Sequence, residues 1–198
     1  MYTDEKEIQK IHKARHEQSY TIENELVIGG QSTQFEYRDL CDDKLSMKLP
    51  AHFVDLPEEL VVRKYPSVSR PKYVIANETG TVAFTYSLLD YPLAPDEVSQ
   101  CILGFKAAIK RTNPANVFYD MKTIPLGDSK LGYYEYLGYA VDDDIFYIVY
   151  VTPIGNEQFL HGTFSCSNRD KEAWQPLVHQ MMRTIVDNTK ATEESEGT

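Results

Sequence analysis

Apolar and polar residues alternate over several short stretches after residue 36, which is the pattern of half-buried β-strands. Residues 45–49 alternate in this way until Pro50 ends the run. Residues 60–65 form a second short apolar run, closed by Pro66, and we interpret it as another strand. The chain therefore begins its folded part with short strands.

A hairpin and a group of later strands follow in the same pattern. Segments 73–76 and 82–89 flank the sequence Asn-Glu-Thr-Gly, which is typical of a tight hairpin turn. Further strands are predicted over the following segments: 131–141, 145–151 and 159–166, with a shorter one at 117–119. Segment 145–151 is apolar on both faces, so it should be a central strand covered on both sides.

Two segments instead repeat apolar residues at intervals of three and four, which predicts helices. The first follows Pro95 and ends at Asn113. The second covers about residues 168–187, and Pro176 should separate a short first turn from the main helix. The order of strands, helix, strands and helix predicts an α+β fold with an antiparallel β-sheet flanked by helices. A doubly wound nucleotide-binding fold is disfavoured because no repeated strand–helix–strand rhythm occurs.

The polarity of the two ends suggests a simple domain organisation. Residues 1–34 are polar and are predicted to be an N-terminal appendage, with a weak apolar stripe at Ile8 and Ile11 that suggests a helix. Residues 35–190 are predicted to form a single α+β domain. Residues 191–198 are acidic and lack large apolar side chains, so we expect a disordered tail.

Charge and composition exclude several classes of partner. The 198 residues include 20 basic and 30 acidic ones, a net charge of −10. This disfavours binding to nucleic acid or to anionic membranes. The first seven residues lack the basic and apolar regions of a secretory signal, which predicts a cytoplasmic location. Three cysteines without zinc-site spacing are expected to be free thiols.

The chain contains no familiar catalytic motif. It has no phosphate-binding loop, dinucleotide fingerprint, nucleophile elbow or zinc-protease motif. His12 and His16 are interpreted as part of a solvated helix, and the aspartates at 142–144 as a hairpin tip. We therefore predict no catalytic residue, no metal and no cofactor. One alternative stays open: an enzyme or small-ligand site assembled in space around His161, with Thr163 and Ser165 on the same strand face and Tyr147 or Tyr150 nearby.

The candidate binding residues come from two unusual features. Tyrosines crowd the strand at 131–141, and they are explained either by sheet packing, which we favour, or by a partly exposed aromatic surface. The segment Lys64–Pro71 is a stiff basic loop on an acidic chain, although a plain connecting loop is the simpler interpretation. The residues assigned to binding are Lys64, Arg70, Tyr133, Tyr134, Tyr136 and His161.

The order of elements also resembles a known superfamily. Residues 45–50 followed by Phe53 are similar to the opening strand of PsbP-like proteins, and residues 159–166 leading to Trp174 and the apolar helix resemble their ending. This superfamily includes the Mog-type nuclear import factor and the bacterial DcrB-like proteins, and the resemblance covers about residues 36–188. It implies an α/β/α sandwich and a role in binding or as a chaperone, since some bacterial relatives are chaperones of secreted effectors.

These observations predict a cytoplasmic, non-enzymatic binding protein that holds a protein partner through the tyrosine-rich sheet face or the basic loop. Its most specific version, a secretion-effector chaperone, requires an apolar sheet face that is left uncovered. A structural subunit of an oligomer is the other hypothesis that the sequence leaves open, and the sequence does not fix the oligomeric state.

Overall fold

The computed structural model describes residues 20–68, 70–139 and 143–190. The stripe at Ile8 and Ile11, the pair His12 and His16, and the acidic tail 191–198 lie outside the described residues. Among the helices of the described ranges, none is long and apolar enough to span a bilayer.

Single helices separate groups of strands along the chain. The strands are β1 (Leu26–Ile28), β2 (Gln31–Thr33), β3 (Phe35–Leu40), β4 (Leu45–Pro50), β5 (Val54–Asp55), β6 (Tyr73–Ala76), β7 (Ala83–Leu89), β8 (Val117–Leu126), β9 (Ser129–Tyr139), β10 (Asp144–Ile154), β11 (Gln158–Ser167) and β12 (Val186–Asp187). The helices are α1 (Glu58–Lys64), α2 (Val98–Thr112) and α3 (Lys171–Met182), and a short 3₁₀ turn over Asn168–Asp170 precedes α3.

A seven-stranded antiparallel sheet forms the centre of the molecule, in the order β5-β6-β7-β11-β10-β9-β8. A three-stranded sheet, β12-β4-β3, and the β1-β2 hairpin complete the β-structure of the described ranges. The predicted hairpin is confirmed as β6 and β7, with Gly80 at φ +69° in its turn. The prediction of a covered central strand is also confirmed, because β10 lies between β9 and β11.

Both faces of the central strands are covered by apolar packing. On one face, α2 packs over a cluster that includes Tyr134, Val149 and Phe159. On the other face, α3 and the three-stranded sheet enclose a larger core around Phe164 and Trp174. This layering confirms the predicted α+β fold, because each face of the amphipathic sheet is buried against another element.

Two sequence predictions were wrong about element type or length. Residues 60–64 belong to helix α1 and residue 65 caps its end, so this segment is not a strand; Glu58 and Glu59 at the start of the helix and Arg63 and Lys64 at its end suit the helix dipole. The short strand at 117–119 is in fact the ten-residue strand β8. Both elements are largely exposed, so their apolar residues do not follow the regular spacing of a buried face on which such predictions depend.

The C-terminal helix also differs from its prediction. It begins at Lys171 and continues through Pro176, which does not separate two parts. Pro176 is the sixth residue of the helix and lacks the N–H that would bond to the Glu172 carbonyl. The helix nevertheless continues, and its apolar face, including Trp174 and Leu177, is buried in the core. The helix ends at Met182 and not near residue 187, because residues 186–187 pair with β4 as strand β12.

Residues 20–34 pack against the α+β domain. Gly29 and Gly30 take φ values of +58° and +83° in the β1-β2 turn, where residues with a Cβ are strained. Ile22 and Ile28 are buried in the same core as α3. The Tyr20 hydroxyl donates a hydrogen bond of 2.9 Å to the Ala173 carbonyl. The described part of the predicted appendage is therefore docked on the domain.

Candidate functional site

Strand β8 is the long edge of the central sheet. Its outer side has no neighbouring strand in the described ranges, whereas β5 at the opposite edge is only two residues long. Three large apolar side chains on β8 are exposed: Val117 (41%), Tyr119 (37%) and Met121 (38%). A long edge strand with exposed apolar side chains is a surface on which another strand can pair.

The hairpin that joins β8 to β9 fixes the direction of the β8 backbone groups. Leu126 and Ser129 close a two-residue turn that begins with Gly127 at φ +53°. In such a turn the closing pair is hydrogen-bonded, and the bonding alternates from there. The N–H and C=O groups of Met121 and Thr123 therefore point away from β9. Pro125 has the same orientation, as expected for a proline in an edge strand.

A β-bulge interrupts β8 in its exposed half. Phe118 pairs with Tyr136 and Met121 pairs with Tyr134, so Tyr119 and Asp120 both lie opposite Glu135. The extra residue bends the strand and redirects its side chains. Bulges are common beside functional sites, where they aim particular side chains.

The residue opposite the bulge, Glu135, is a buried carboxylate with two partners from α3. Only 2% of its side chain is exposed. Its Oε1 atom lies 2.6 Å from the Nε2 atom of His179, and its Oε2 atom accepts a hydrogen bond of 2.7 Å from Gln175. The His179 ring lies 5.1 Å from the Tyr133 ring. These contacts fix α3 over the β8-β9 side of the sheet, because a buried carboxylate strongly favours bonded partners.

Four polar residues of the α3 segment form a stripe along this side. They recur every fourth position, which places them on one flank of the helix: Lys171, Gln175, His179 and Arg183. The Lys171 ammonium lies 3.8 Å from the centroid of the Tyr119 ring and 4.9 Å from that of Phe146. This cation–π contact holds a positive charge over the α3-facing side of β8.

The bulge residue Asp120 is surrounded by positive groups. Its carboxylate lies 2.8 Å from the Lys122 ammonium. The hydrogen bond from Lys122 lowers the pKa of Asp120, and Lys122, His179 and Lys106 add to this through their charge. The same hydrogen bond raises the pKa of Lys122. Both side chains are exposed, so this pair contributes little to stability.

Of the tyrosines predicted to bind a partner, only Tyr133 adjoins this site. Tyr134 and Tyr136 point to the opposite face and are buried beneath α2. Burial raises the pKa of all three. The sheet-packing interpretation is therefore correct for these three side chains, which are buried and form no exposed aromatic face.

Lys64 and Arg70 lie away from the β8 edge. The Lys64 ammonium donates a 2.5 Å hydrogen bond to the Gly80 carbonyl, at the turn of the β6-β7 hairpin, and burial lowers its pKa. Arg70 is exposed, and its backbone N–H bonds to the Ser67 carbonyl at 3.2 Å. The structure does not bring these two residues together with the tyrosines, and their role in binding stays a prediction.

His161 lies on the α2 side of the sheet, with Thr163 and Ser165 on the same face and Tyr147 paired with Ser165. Its ring is 4.6 Å from that of Phe105, and burial lowers its pKa to about 4. Tyr150 points to the other face. No hydrogen bond to the His161 ring occurs within the described ranges, so these residues share a face without forming a linked acid–base group.

A cleft of about 560 Å³ opens at one end of the sheet. Its walls include Leu93, Ile154 and Ile185, and the Ser129 hydroxyl in its lining is buried without a hydrogen-bond partner among the described residues. No cluster of three metal-ligating side chains occurs in the described parts of the chain.

Comparison with known proteins gives structural likenesses only. No family model and no curated protein matches the sequence. The structure of cyanobacterial PsbP (CyanoP) from Synechocystis sp. PCC 6803 matches with a TM-score of 0.53 and 8% identity, over 77% of this chain and 92% of that one. LpqN, which is involved in cell envelope biogenesis of Mycobacterium tuberculosis, matches with a TM-score of 0.53 and 12% identity, over 78% and 90%. A protein of Bacteroides thetaiotaomicron matches with a TM-score of 0.50 and 9% identity, over 77% of this chain and 48% of that one.

The chain thus has an α+β fold similar to that of PsbP, and the predicted resemblance to PsbP-like proteins is confirmed at the level of the fold. Sequence reasoning missed the β8 edge, Glu135 and His179. One signal was available: Glu135 falls on the same strand face as Leu131 and Leu137, so a carboxylate was placed toward a core.

Proposed function

We propose that this chain is a non-enzymatic binding protein that holds an extended segment of a partner protein against β8. The observation that carries this proposal is the ten-residue edge strand, whose Met121 and Thr123 direct unpaired backbone groups outward. A partner segment would extend the seven-stranded sheet by one strand.

The energetics favour a modest, reversible interaction. Pairing with Met121 and Thr123 adds four backbone hydrogen bonds, each with a net contribution of about 1 kcal/mol. Association itself costs at least about 4 kcal/mol, so backbone pairing alone is insufficient. The exposed side chains of Val117, Tyr119 and Met121 would supply the rest by burying apolar surface.

The chaperone version of this proposal lacks one of its requirements. It needs an uncovered apolar sheet face, whereas α2 and α3 cover the apolar faces of the described central strands.

The three free cysteines, of which Cys41 and Cys166 are buried, support a location in a reducing compartment such as the cytoplasm.

A pair of substitutions at one position tests the proposal. Thr123→Pro removes the outward backbone N–H, whereas Thr123→Val retains it. Both substitutions remove the Thr123 hydroxyl, which lies 2.9 Å from the Ser99 hydroxyl, so the two variants differ in the N–H. Each variant is used to capture partners from the native cell extract, with quantitative mass spectrometry, after thermal unfolding shows that both fold. We expect a stoichiometric partner that is lost with Thr123→Pro and retained with Thr123→Val. A partner that binds both variants equally would refute binding at β8.

A second candidate function, small-molecule binding, is favoured by the cleft at the end of the sheet. Its volume of about 560 Å³ suits a small ligand, and a buried hydroxyl without a partner is a group that a ligand could satisfy. A metabolite screen by thermal shift, with Ser129→Ala as the comparison, tests it. Ligands that stabilise both proteins equally, or none at all, would argue against a site at Ser129.

A further inference from the structure

We infer that the partner segment is acidic, with carboxylates spaced along an extended strand and apolar residues between them. This inference rests on the proposed function, because it concerns the same β8 edge. It is drawn from the positive groups that surround this edge on both sides of the sheet.

On the α3 side, an added strand would lie beside basic groups. Lys122 is exposed on β8 itself, and Lys171 extends over Tyr119 from the start of α3. Arg183 lies near enough to Tyr133 to lower its pKa, although burial sets the net upward shift. A carboxylate on the added strand would meet these groups across the sheet edge.

On the α2 side, the edge is apolar with one further cation. Phe118 and Met121 point to this face, because their β9 partners, Tyr136 and Tyr134, lie beneath α2. The Lys106 ammonium lies 5.7 Å from the centroid of the Phe118 ring. Successive side chains of an added strand point to opposite faces, so apolar residues on this face would alternate with acidic residues on the other.

The carboxylates already present at the edge leave this positive field largely available. Glu135 is buried, and both its oxygens are bonded to α3. Asp120 forms a salt bridge with Lys122, and the charges of His179 and Lys106 also contribute to lowering its pKa. Asp170 and Glu172, on either side of Lys171, are exposed carboxylates at the helix start, but the Lys171 ammonium extends over the Tyr119 ring of β8. At physiological salt, exposed charges more than about 8 Å apart are largely screened from each other. The charges beside β8, and not the net charge of −10, therefore decide whether an acidic or a basic segment binds better there.

Synthetic peptides test this inference directly. The probe is a fluorescent peptide of about ten residues that alternates glutamate with valine, compared with one that alternates lysine with valine. A third peptide carries N-methyl groups on every amide of the acidic sequence and so cannot pair as a strand through either edge. Binding is measured by fluorescence anisotropy at about 50 mM and about 500 mM salt.

We expect the acidic peptide to bind at least about tenfold more tightly than the basic one, and to weaken as salt is raised. The double variant Lys106→Gln/Lys171→Gln should weaken its binding about fivefold. The control Arg63→Gln/Arg70→Gln removes the same charge near α1 and should leave binding unchanged.

The outcomes separate this inference from the proposed function. Equal or tighter binding of the basic peptide, with loss of binding in Thr123→Pro, would overturn the acidic preference and leave strand addition intact. Binding of the N-methylated peptide as tight as that of its parent would refute strand addition itself. Weaker binding in the Arg63 and Arg70 control than in the Lys106 and Lys171 variant would place the acidic site at the basic loop and overturn the inference.

Discussion

The buried carboxylate of Glu135 gives the sharpest prediction about what holds the β8 side of the molecule together. His179→Ala removes one of the two hydrogen-bond partners of Glu135. The Glu135 side chain, which is 2% exposed, then keeps only its hydrogen bond from Gln175. Removing one hydrogen-bond partner of a buried polar group costs about 1–3 kcal/mol. Because the His179 side chain is 32% exposed, water replaces part of the lost contact, and we expect a loss of about 2 kcal/mol.

The double variant separates pairing from packing. Glu135→Leu/His179→Leu removes both polar partners together, and such replacements are often neutral or stabilising. We therefore expect the double variant to be at least as stable as either single variant, Glu135→Leu or His179→Leu, with a coupling of about 1–2 kcal/mol in the double-mutant cycle that these three proteins form with the unsubstituted chain. Urea unfolding at pH 7 measures all four proteins. Strict additivity of the two single substitutions would refute the claim that Glu135 and His179 stabilise each other.

Three further predictions concern the core and pH dependence. Gly162→Ala places a Cβ 2.2 Å from the buried Tyr150 ring, so we expect a loss of about 3 kcal/mol in urea unfolding, and a loss under 1 kcal/mol would contradict this packing. Tyr134→Phe removes a buried hydroxyl that has no partner in the described ranges, and it should raise stability by about 1 kcal/mol; a lower melting temperature would show that the hydroxyl is bonded. Folding lowers the pKa of His161 from 6.5 to about 4, so the unfolded chain binds more protons than the folded one between these pH values. The free energy of unfolding should therefore decrease as pH is lowered through this window, by up to about 1.4 kcal/mol per pH unit. His161→Leu should remove this slope between pH 6.5 and pH 5, and an unchanged slope would assign it to other groups.

Elements with a strong local signal were predictable from the sequence. Helix α2 follows a three- and four-residue apolar repeat over fifteen residues, and the β6-β7 hairpin has turn residues at the required positions. Helix α1 was missed because the three consecutive apolar residues among its seven positions, Leu60, Val61 and Val62, fit a strand as well as a helix. Periodicity over so short a segment does not distinguish the two.

The candidate site was harder to predict because it depends on which strands are neighbours. Nothing local to residues 117–126 indicates that β8 is the outermost strand, since this follows from the order of the whole sheet. Glu135 and His179 are 44 positions apart and meet only because α3 packs over β9. The tyrosines of β9 were noticed for their number, but burial beneath the helices is a property of the packed layers and not of the strand.

Amide hydrogen exchange at Met121 and Thr123 tests the central claim most directly. Both amides point away from β9, so they should exchange rapidly in the free protein, whereas neighbouring amides bonded to β9 should be protected. On addition of the acidic peptide, the account predicts new protection at these two amides. Protection confined to the loop around Arg70, or unchanged exchange along β8 with the peptide bound, would contradict it.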